Sequence, residues 1–432
     1  MATANRRRFL KLSLQAAILG LIPSQRGVAA QTQVSDSKVV WGGSGFNVPF
    51  DEIVSRLGRV NQSLEADNGI GWKNWIDSLY SALTKGFKGV VETGPDIEIE
   101  FSGDPGPIFS VGFDYENFLR IDIEPGEVRD DPSNGANDLA FYWLFSSIRI
   151  YTIRIPRQGS GLISLVYSKP VRSFNRSLLR TGERSENAFV IETLLSSESF
   201  SLSTKFNQTV AKIGFEESFF EPKHIRIRSV QISTKALDLF TRLGLEKVFN
   251  SNFFASVFGV AINQSFEASV LPFVMTDYLG RTLAKRFDQE LDVDQIFKDM
   301  DSDIASYYVE IDIKGGLRKI VGETAGQQLI SRGLAMEARF IDAANGQEFF
   351  KARLLKAERR EQVLGRKNET WYRSNDSLYF CLLVERMVDD FFKGLKTENF
   401  DLLASVGIKA KDMNQEPLKR IKKVLDSCRY GA

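Results

Sequence analysis

The sequence predicts an α+β protein, in which a β-rich antiparallel N-terminal domain precedes a mixed α/β C-terminal domain. Between about residues 95 and 232, apolar and polar residues alternate with a period of two, as in Ile97–Phe101. Turn residues such as the Asp-Pro-Gly at 104–106 separate these segments, which is typical of antiparallel sheets. Helix-like and strand-like patterns alternate after residue 232. We therefore expect a leader at 1–30 and domains at 31–232 and 233–432.

The elements of the N-terminal half follow from spacing and turn chemistry. A strand-like start at 39–41 meets a predicted turn at Gly42–Gly45, and apolar residues at helical spacing predict helices over 51–66 and 72–87. The Arg-rich stretch after Pro170 is predicted to be an exposed loop. Strands are predicted over 97–101, 108–113, 118–123, 140–155, 161–167, 189–195 and 224–232.

The C-terminal half contains two predicted hairpins. Gly315-Gly316 is predicted to turn strand 305–313 back along 317–321. Asn345-Gly346 lies between strand patterns at 334–342 and 347–355, and both of its residues tolerate the positive φ of a tight hairpin. Helices are predicted over 236–249, 276–291, 374–395 and 416–425.

The chain begins with a positive segment followed by an apolar one. Residues 12–22 form a mainly apolar segment of eleven positions, diluted by Ser13, Gln15 and Gly20, and this is well short of the ~20 that a membrane-spanning helix needs. Small residues before position 31 suit a signal peptidase, so we expect cleavage between Ala30 and Gln31. Before this apolar segment, two arginines are followed after one residue by two apolar residues and a lysine, namely Arg6, Arg7, Phe9, Leu10 and Lys11. This pattern resembles a twin-arginine export signal. The resemblance implies that the protein crosses the inner membrane folded and works in the periplasm.

Charge and histidine content narrow the classes of function. The first 30 residues hold five of the 56 basic residues and none of the 55 acidic ones, so the remainder has a net charge of −4. This argues against a nucleic-acid-binding protein, which would be strongly basic. The chain has one histidine, His224, whereas many catalytic sites depend on imidazole. Alternation predicts that His224 shares a solvated strand face with Arg226 and Arg228.

Two further sets of residues are weighed as sites. Cys381 and Cys428 could form a disulfide in an oxidising compartment, or remain small buried side chains. The acidic residues at 299–310 match EF-hand positions 1, 3, 5 and 12, but Ile304 stands where the loop requires glycine. A solvated acidic turn is therefore the preferred interpretation, and no cofactor and no catalytic residue is predicted. The weak metal candidates are Asp299, Asp301, Asp303 and Glu310.

The hairpin at 338–348 resembles that of curli-secretion-type envelope proteins. The shared feature is a strand, an Asp-Ala pair, a glycine turn and a second strand, within a similarity of about residues 265–355. The resemblance implies an accessory or assembly role in the envelope, without catalysis, and envelope proteins as partners. The basic helix at 416–425 could also touch anionic lipid headgroups, although a solvated helix is the simpler interpretation.

These observations favour a periplasmic, non-enzymatic envelope accessory or interaction protein. Two alternatives remain open. The 33 phenylalanines could line a cavity for a lipid-like ligand instead of filling an ordinary core. A pair of facing carboxylates could hydrolyse envelope glycans, but the sequence cannot place two such groups at the required separation.

Overall fold

A computed structural model of the chain describes residues 32–34, 40–46, 81, 99–101, 108–122, 139–154, 164–210, 223–271, 273, 305–324, 327–363, 369–409 and 416–429. The leader, its cleavage site and the predicted helices at 51–66, 72–87 and 276–291 therefore lie outside the described residues. Within them the α+β class is confirmed, since strands and helices occur in separate runs along the chain.

The first half of the described chain forms a four-stranded sheet in the order β2-β4-β5-β6. Strand β2 pairs parallel with β4, and the other pairs are antiparallel. Short strands β1 (Thr32–Val34) and β3 (Ile99–Phe101) pair separately. Two helices follow β6, namely α1 (Glu183–Leu195) and α2 (Leu202–Val210). The strands of the larger sheet are β2 (Val40–Phe46), β4 (Ile108–Asp122), β5 (Leu139–Arg154) and β6 (Ser164–Arg180).

The second half forms a mixed five-stranded sheet in the order β11-β10-β9-β7-β8. Strand β7 runs parallel to β8 and β9, while β9, β10 and β11 form an antiparallel meander. Because β7 pairs with these strands, the five-stranded sheet begins before the boundary predicted after residue 232. Its strands are β7 (His224–Ile232), β8 (Val270–Leu271), β9 (Ala305–Thr324), β10 (Gln327–Asp342) and β11 (Glu348–Val363).

Helices cover one face of the five-stranded sheet. Between β7 and β8 lie α3 (Thr234–Arg242), capped by the Ser233 hydroxyl, and α4 (Ser251–Phe266), capped by the Asn250 side chain. Three helices follow β11, and the first of them is the longest described. They are α5 (Glu369–Thr397), α6 (Phe400–Ser405) and α7 (Glu416–Ser427). None of the helices in the described part of the chain is long and apolar enough to span a membrane.

The alternation of the central strands places one apolar row against these helices. On β10, Met336, Ala338 and Phe340 are buried, and Ile311 and Ile313 oppose them from β9. Helices α4 and α5 fill the space above this row with large side chains. The opposite face of the sheet carries charged residues, so the five-stranded sheet has one buried and one solvated face.

Several predicted elements are confirmed. Strands β5 and β7 match the predicted 140–155 and 224–232 to within one residue. The Asn345-Gly346 hairpin joins β10 to β11, where Gly346 has a φ of 69° and its N–H donates to the Asp342 carbonyl at 2.8 Å. Helices α5 and α7 also lie where helical spacing predicted them.

Two predicted glycine turns are wrong. Strand β9 continues through Gly315-Gly316 to Thr324, and its hairpin with β10 turns between 324 and 327. Gly316 leaves room for α3, because a Cβ there would overlap the end of the Leu239 side chain unless that side chain shifted. Likewise, Gly42–Gly45 lies inside β2, where the pairing with β4 shifts between Trp41 and Gly43.

Two further predictions in the N-terminal half are wrong. Residues 189–195 form part of helix α1 rather than a strand, with Phe189, Val190 and Leu194 buried at helical spacing. The predicted loop after Pro170 is the second half of β6. This strand lies at one end of the four-stranded order, where a proline without an N–H is tolerated.

Candidate functional site

Glu310, the weak metal candidate, belongs to a group of ion pairs on the solvated face of the five-stranded sheet. Arg228 Nε donates to its Oε1 at 2.9 Å, and Arg339 Nη2 lies 2.8 Å from its Oε2. Asp299, Asp301 and Asp303 lie outside the described residues. Among the residues that the structure does describe, no cluster of three or more His, Cys, Asp or Glu side chains could hold a metal ion.

The two cysteines are free thiols in the structure, and both are buried in the apolar core. Burial raises the pKa of the Cys381 thiol well above its ordinary value, and Glu385 adds to this effect. Burial also raises the pKa of Cys428 to about 12, although Ser427 and Lys223 act in the opposite sense. Neither thiol therefore has the thiolate character of a reactive cysteine, and their pairing stays a prediction.

His224 is buried, with 1% of its surface exposed, rather than solvated as predicted. The register of β7 on β9 shifts between His224 and Ile225, and both side chains are buried. His224 Nδ1 lies 2.7 Å from Ser269 Oγ, which also accepts from the Ser168 N–H at 3.0 Å. The Ser168 hydroxyl and Arg149 both donate to the Val270 carbonyl. We call Arg149, Ser168, His224 and Ser269 the junction cluster, because it joins β5 and β6 to β7 and β8.

A serine beside a histidine can act as a nucleophile when substrate reaches it. In the junction cluster all four side chains are at least nine-tenths buried, and the serine hydroxyls bond to the two sheets. Buried polar groups satisfied in this way rigidify the structure around them. The junction cluster is therefore a connection between the sheets.

A second polar group interrupts the apolar row of the five-stranded sheet, between the buried residues Ile330 and Leu334 of β10. Beyond Gly333 the same face of β10 carries Arg332, which opposes Arg318 on β9 and Glu358 on β11. Helix α5 lies over this end of the sheet and supplies further side chains. We call the whole set the arginine cluster, which consists of Arg318, Arg332, Glu358, Arg360, Asp376, Tyr379 and Arg386.

Asp376 is the buried centre of the arginine cluster. Its Oδ2 accepts from Arg318 Nε at 2.7 Å, and its Oδ1 accepts from Arg332 Nε at 2.6 Å. The carboxylate thus separates two guanidinium groups that face each other across the strand pair. Burial lowers the pKa of Arg332, while the charge and hydrogen bond of Asp376 raise it. The pair is consequently a charge-assisted bond in a low-dielectric setting.

Tyr379 lies one helical turn after Asp376 and forms the aromatic side of the cluster. The Arg332 guanidinium carbon lies 4.8 Å from the centre of its ring, and that of Arg360 lies 5.9 Å away. Tyr379 also interacts with Arg176 of β6, whose pKa is lowered by burial. Arg176 in turn lies 5.2 Å from the Phe141 ring.

The rim of the arginine cluster contains a second shared carboxylate. Glu358 Oε2 lies 3.3 Å from Arg360 Nη2 and 3.1 Å from Arg386 Nη1. Each of the two acidic groups is thus shared by two guanidinium groups. Such a surplus of positive charge attracts anions, whatever their identity.

Helix α7 has exposed basic residues, but its apolar face is buried against the rest of the protein. Leu418, Ile421 and Leu425 are buried in the core, and Lys422 forms an ion pair with Glu398. An amphipathic helix binds a membrane by burying its apolar face in the headgroup region. A lipid contact of α7 would therefore depend on charge alone, and it stays a prediction.

Asp389 of α5 gives a prediction about pH. Burial raises the pKa of this carboxyl above its ordinary 3.8, with Glu385 and Asp390 adding to the shift and Lys393 and Arg172 opposing it. A raised folded-state pKa means that the ionised form costs stability at neutral pH, and that the cost is absent below the unfolded-state pKa. Asp389→Asn should raise the melting temperature at pH 7 and have little effect at pH 3.

The adjacent residue supplies the control for this substitution. Asp390 Oδ2 lies 2.5 Å from Lys356 Nζ, so Asp390→Asn removes an ion pair and should lower the melting temperature at pH 7. Thermal unfolding of both variants at the two pH values checks the prediction. It is wrong if Asp389→Asn destabilises the protein at pH 7.

The comparisons with known proteins give only weak likenesses. No family model matches the chain, and no curated protein matches it. Three similar solved structures are a minor lipoprotein from Acinetobacter baumannii, lipoprotein GNA1162 from Neisseria meningitidis and the PelC dodecamer from Paraburkholderia phytofirmans. Their identities are 10%, 12% and 10%, and their TM-scores are 0.21, 0.18 and 0.18. They cover 41%, 37% and 41% of this chain and 92%, 96% and 92% of their own. Likenesses of this size carry no argument about function.

Sequence reasoning did not identify the arginine cluster, although one signal of it was present. In the segment Ile330–Leu334, Arg332 occupies a position that period two assigns to the buried row of Leu334, Met336, Ala338 and Phe340. An arginine in such a row is rarely buried without a partner. The partner, Asp376, is 44 residues away on a helix, and no pattern in the sequence links the two.

Proposed function

We propose that this chain is an exported accessory or interaction protein of the bacterial envelope that acts by binding rather than by catalysis. The observation that carries the proposal is the arginine cluster, in which two strand hairpins and one long helix hold charged side chains in fixed positions. The resemblance of residues 5–11 to a twin-arginine signal supports export to the periplasm. The position of His224 in the junction cluster supports a role without proton transfer by imidazole.

Among the described residues, neither the phenylalanine core nor the carboxylates of the arginine cluster favour the two alternatives. The phenylalanines that would line a carrier's cavity include five whose rings pack on one another, Phe240, Phe249, Phe253, Phe254 and Phe380. The acidic residues of the arginine cluster are each engaged by two guanidinium groups, so they are poor candidates for a general acid and base. Binding therefore accounts better for the arrangement than either alternative does.

Export and partner capture test the proposal together. Replacing Arg6 and Arg7 by lysine should retain the chain in the cytoplasm, because the paired guanidinium groups define a twin-arginine signal. Fractionation followed by mass spectrometry of the amino terminus measures this. Affinity capture of the exported chain from periplasmic extract, with proteins and lipids identified together, should return discrete envelope proteins. Unchanged export of the double variant, or hydrolysis of envelope glycans by the pure chain, would contradict the proposal.

A further inference from the structure

We propose that the arginine cluster is a binding site for a phosphate-bearing anion with at least two negative charges. The inference rests on the proposed function and adds the chemical class of the ligand. Its observations are the burial of a charged pair, a gradient of exposure, the sharing of carboxylates and the stacking of guanidinium groups on Tyr379.

The first observation is that the floor of the cluster is charged where the fold would accept apolar residues. Arg332 and Asp376 are each 1% exposed, and Arg332 lies in the β10 row that holds Leu334 and Met336. The free-energy cost of desolvating such a pair offsets much of its Coulomb attraction. Proteins with well-packed apolar residues in place of a buried ion pair are therefore often equally stable. A buried pair in this row is thus better explained by what it positions than by the stability that it adds.

The second observation is that exposure rises steadily from the floor to the rim. The exposed fraction of the side chain is 2% for Arg332, 23% for Arg318, 40% for Arg360 and 46% for Arg386. The guanidinium groups thus extend from the core to solvent along one end of α5. A ligand can reach the outer groups while the inner pair holds them in place.

The third observation is electrostatic. Arg318 and Arg332 share Asp376, and Arg360 and Arg386 share Glu358, so these six groups carry a net charge of +2. The sharing also leaves donor capacity on the outer groups, Arg360 and Arg386, because a guanidinium has five N–H groups and a carboxylate takes at most two of them in a bidentate pair. A dianion bound at the exposed outer groups would neutralise the surplus.

The fourth observation is preorganisation. Tyr379 lies within cation–π distance of Arg332 and Arg360, which restricts the plane of each guanidinium. Arg318, Arg332 and Arg360 also project from three paired strands whose register is fixed. A planar fork held in this way matches phosphate oxygens in pairs, and little side-chain freedom remains to be lost on binding.

The simpler interpretation is that these ion pairs only fasten α5 to the sheet. The two interpretations differ in the effect of a rim substitution. Arg360→Gln removes one charge from a 40% exposed side chain, so it should change stability little. If the cluster binds phosphate, the same change should weaken binding about tenfold, the usual effect of losing one charge-assisted hydrogen bond.

The experiment measures binding of two probes to the full chain by titration calorimetry. Pyrophosphate represents a soluble phosphate compound, and vesicles of phosphatidylcholine with cardiolipin, whose headgroup carries two phosphate groups, represent a lipid headgroup. Arg360→Gln and Arg386→Gln are the test variants, since the second reports on the same site from α5 if the first folds poorly. Arg359→Gln is the matched control, because Arg359 is the exposed neighbour on the opposite face of β11.

Each outcome decides for or against the site. Binding of pyrophosphate that both test variants weaken and Arg359→Gln leaves unchanged supports a soluble ligand. The same pattern with vesicles alone supports a lipid headgroup. No binding of either probe, or equal weakening by Arg359→Gln, overturns the inference.

The partner capture described above is scored separately. Envelope partners retained in the absence of anion binding would remove the phosphate site and leave the accessory role standing. Phosphate binding without capture of any envelope protein would keep the phosphate site and remove the accessory role.

Discussion

Asp376→Ala should lower the free energy of unfolding by about 3–5 kcal/mol, the usual cost of removing one partner from a buried ion pair. The substitution leaves Arg332, which is 1% exposed, without the carboxylate that accepts from its Nε at 2.6 Å. Arg318 loses the same acceptor and then faces Arg332 directly across the strand pair. Like charges in that arrangement repel each other. Urea unfolding of the variant measures the loss.

Two further variants show whether the loss of stability in Asp376→Ala comes from leaving Arg332 unpaired or from removing the Asp376 side chain. Arg332→Met should cost less than Asp376→Ala, because Asp376 would still be paired with Arg318. The double variant Arg332→Met with Asp376→Leu should recover most of the loss, since it removes both fully buried charges and leaves only the partly exposed Arg318 without its acceptor. If the double variant is less stable than Asp376→Ala, the attraction between Arg332 and Asp376 itself stabilises the fold, and the prediction is wrong.

Local chemistry explains which elements were predictable from the sequence. Asn345-Gly346 specifies a hairpin because glycine accepts the positive φ observed at Gly346, whatever surrounds it. Strand β7 could be placed because alternation at 224–232 is a property of nine consecutive residues. Helix α7 could be placed because Leu418, Ile421 and Leu425 recur at helical spacing. Each of these signals is complete within one short segment.

The wrong predictions depended on contacts between distant segments. Gly315-Gly316 has the composition of a turn, yet the strand continues because α3 packs over it with Leu239. His224 fits an alternating strand, but a register shift against β9 buries it beside Ser269, 45 residues away. Local patterns do not encode register shifts, because a shift is decided by the partner strand. The α+β class survived these errors because it depends on the order of elements rather than on their ends.

The candidate site shows the same division between local and distant information. Arg332 could be recognised as anomalous from the row in which it lies. However, its ion pair with Asp376 and its contact with Tyr379 depend on how α5 crosses the sheet. Arginines from three strands meet at one helix only after the meander and α5 have formed. The chemistry of the ligand could therefore be argued from the structure and not from the sequence.

Phe249→Ala should destabilise the protein by about 3–5 kcal/mol, the range for large-to-small changes of a buried phenylalanine. Phe249 is 1% exposed and lies between α3 and α4. Its ring centre lies 4.8 Å from that of Phe240, 5.1 Å from that of Phe253 and 6.3 Å from that of Phe380 on α5. The removal of this ring opens a cavity where three helices meet, and edge-to-face pairs of about 0.5–1.5 kcal/mol each are lost with it.

Two further substitutions, one conservative and one at an exposed position, give stability losses with which that of Phe249→Ala can be compared. Phe249→Leu keeps most of the apolar volume and should cost clearly less than the alanine variant. Phe400→Ala removes a ring that is 47% exposed, so its effect should stay near the ~0.5 kcal/mol typical of surface positions. Urea unfolding of the three variants measures their free energies of unfolding and so ranks the losses. If the phenylalanines lined a ligand cavity instead of filling a core, Phe249→Ala would cost little more than Phe400→Ala, because the removed ring would already border empty space.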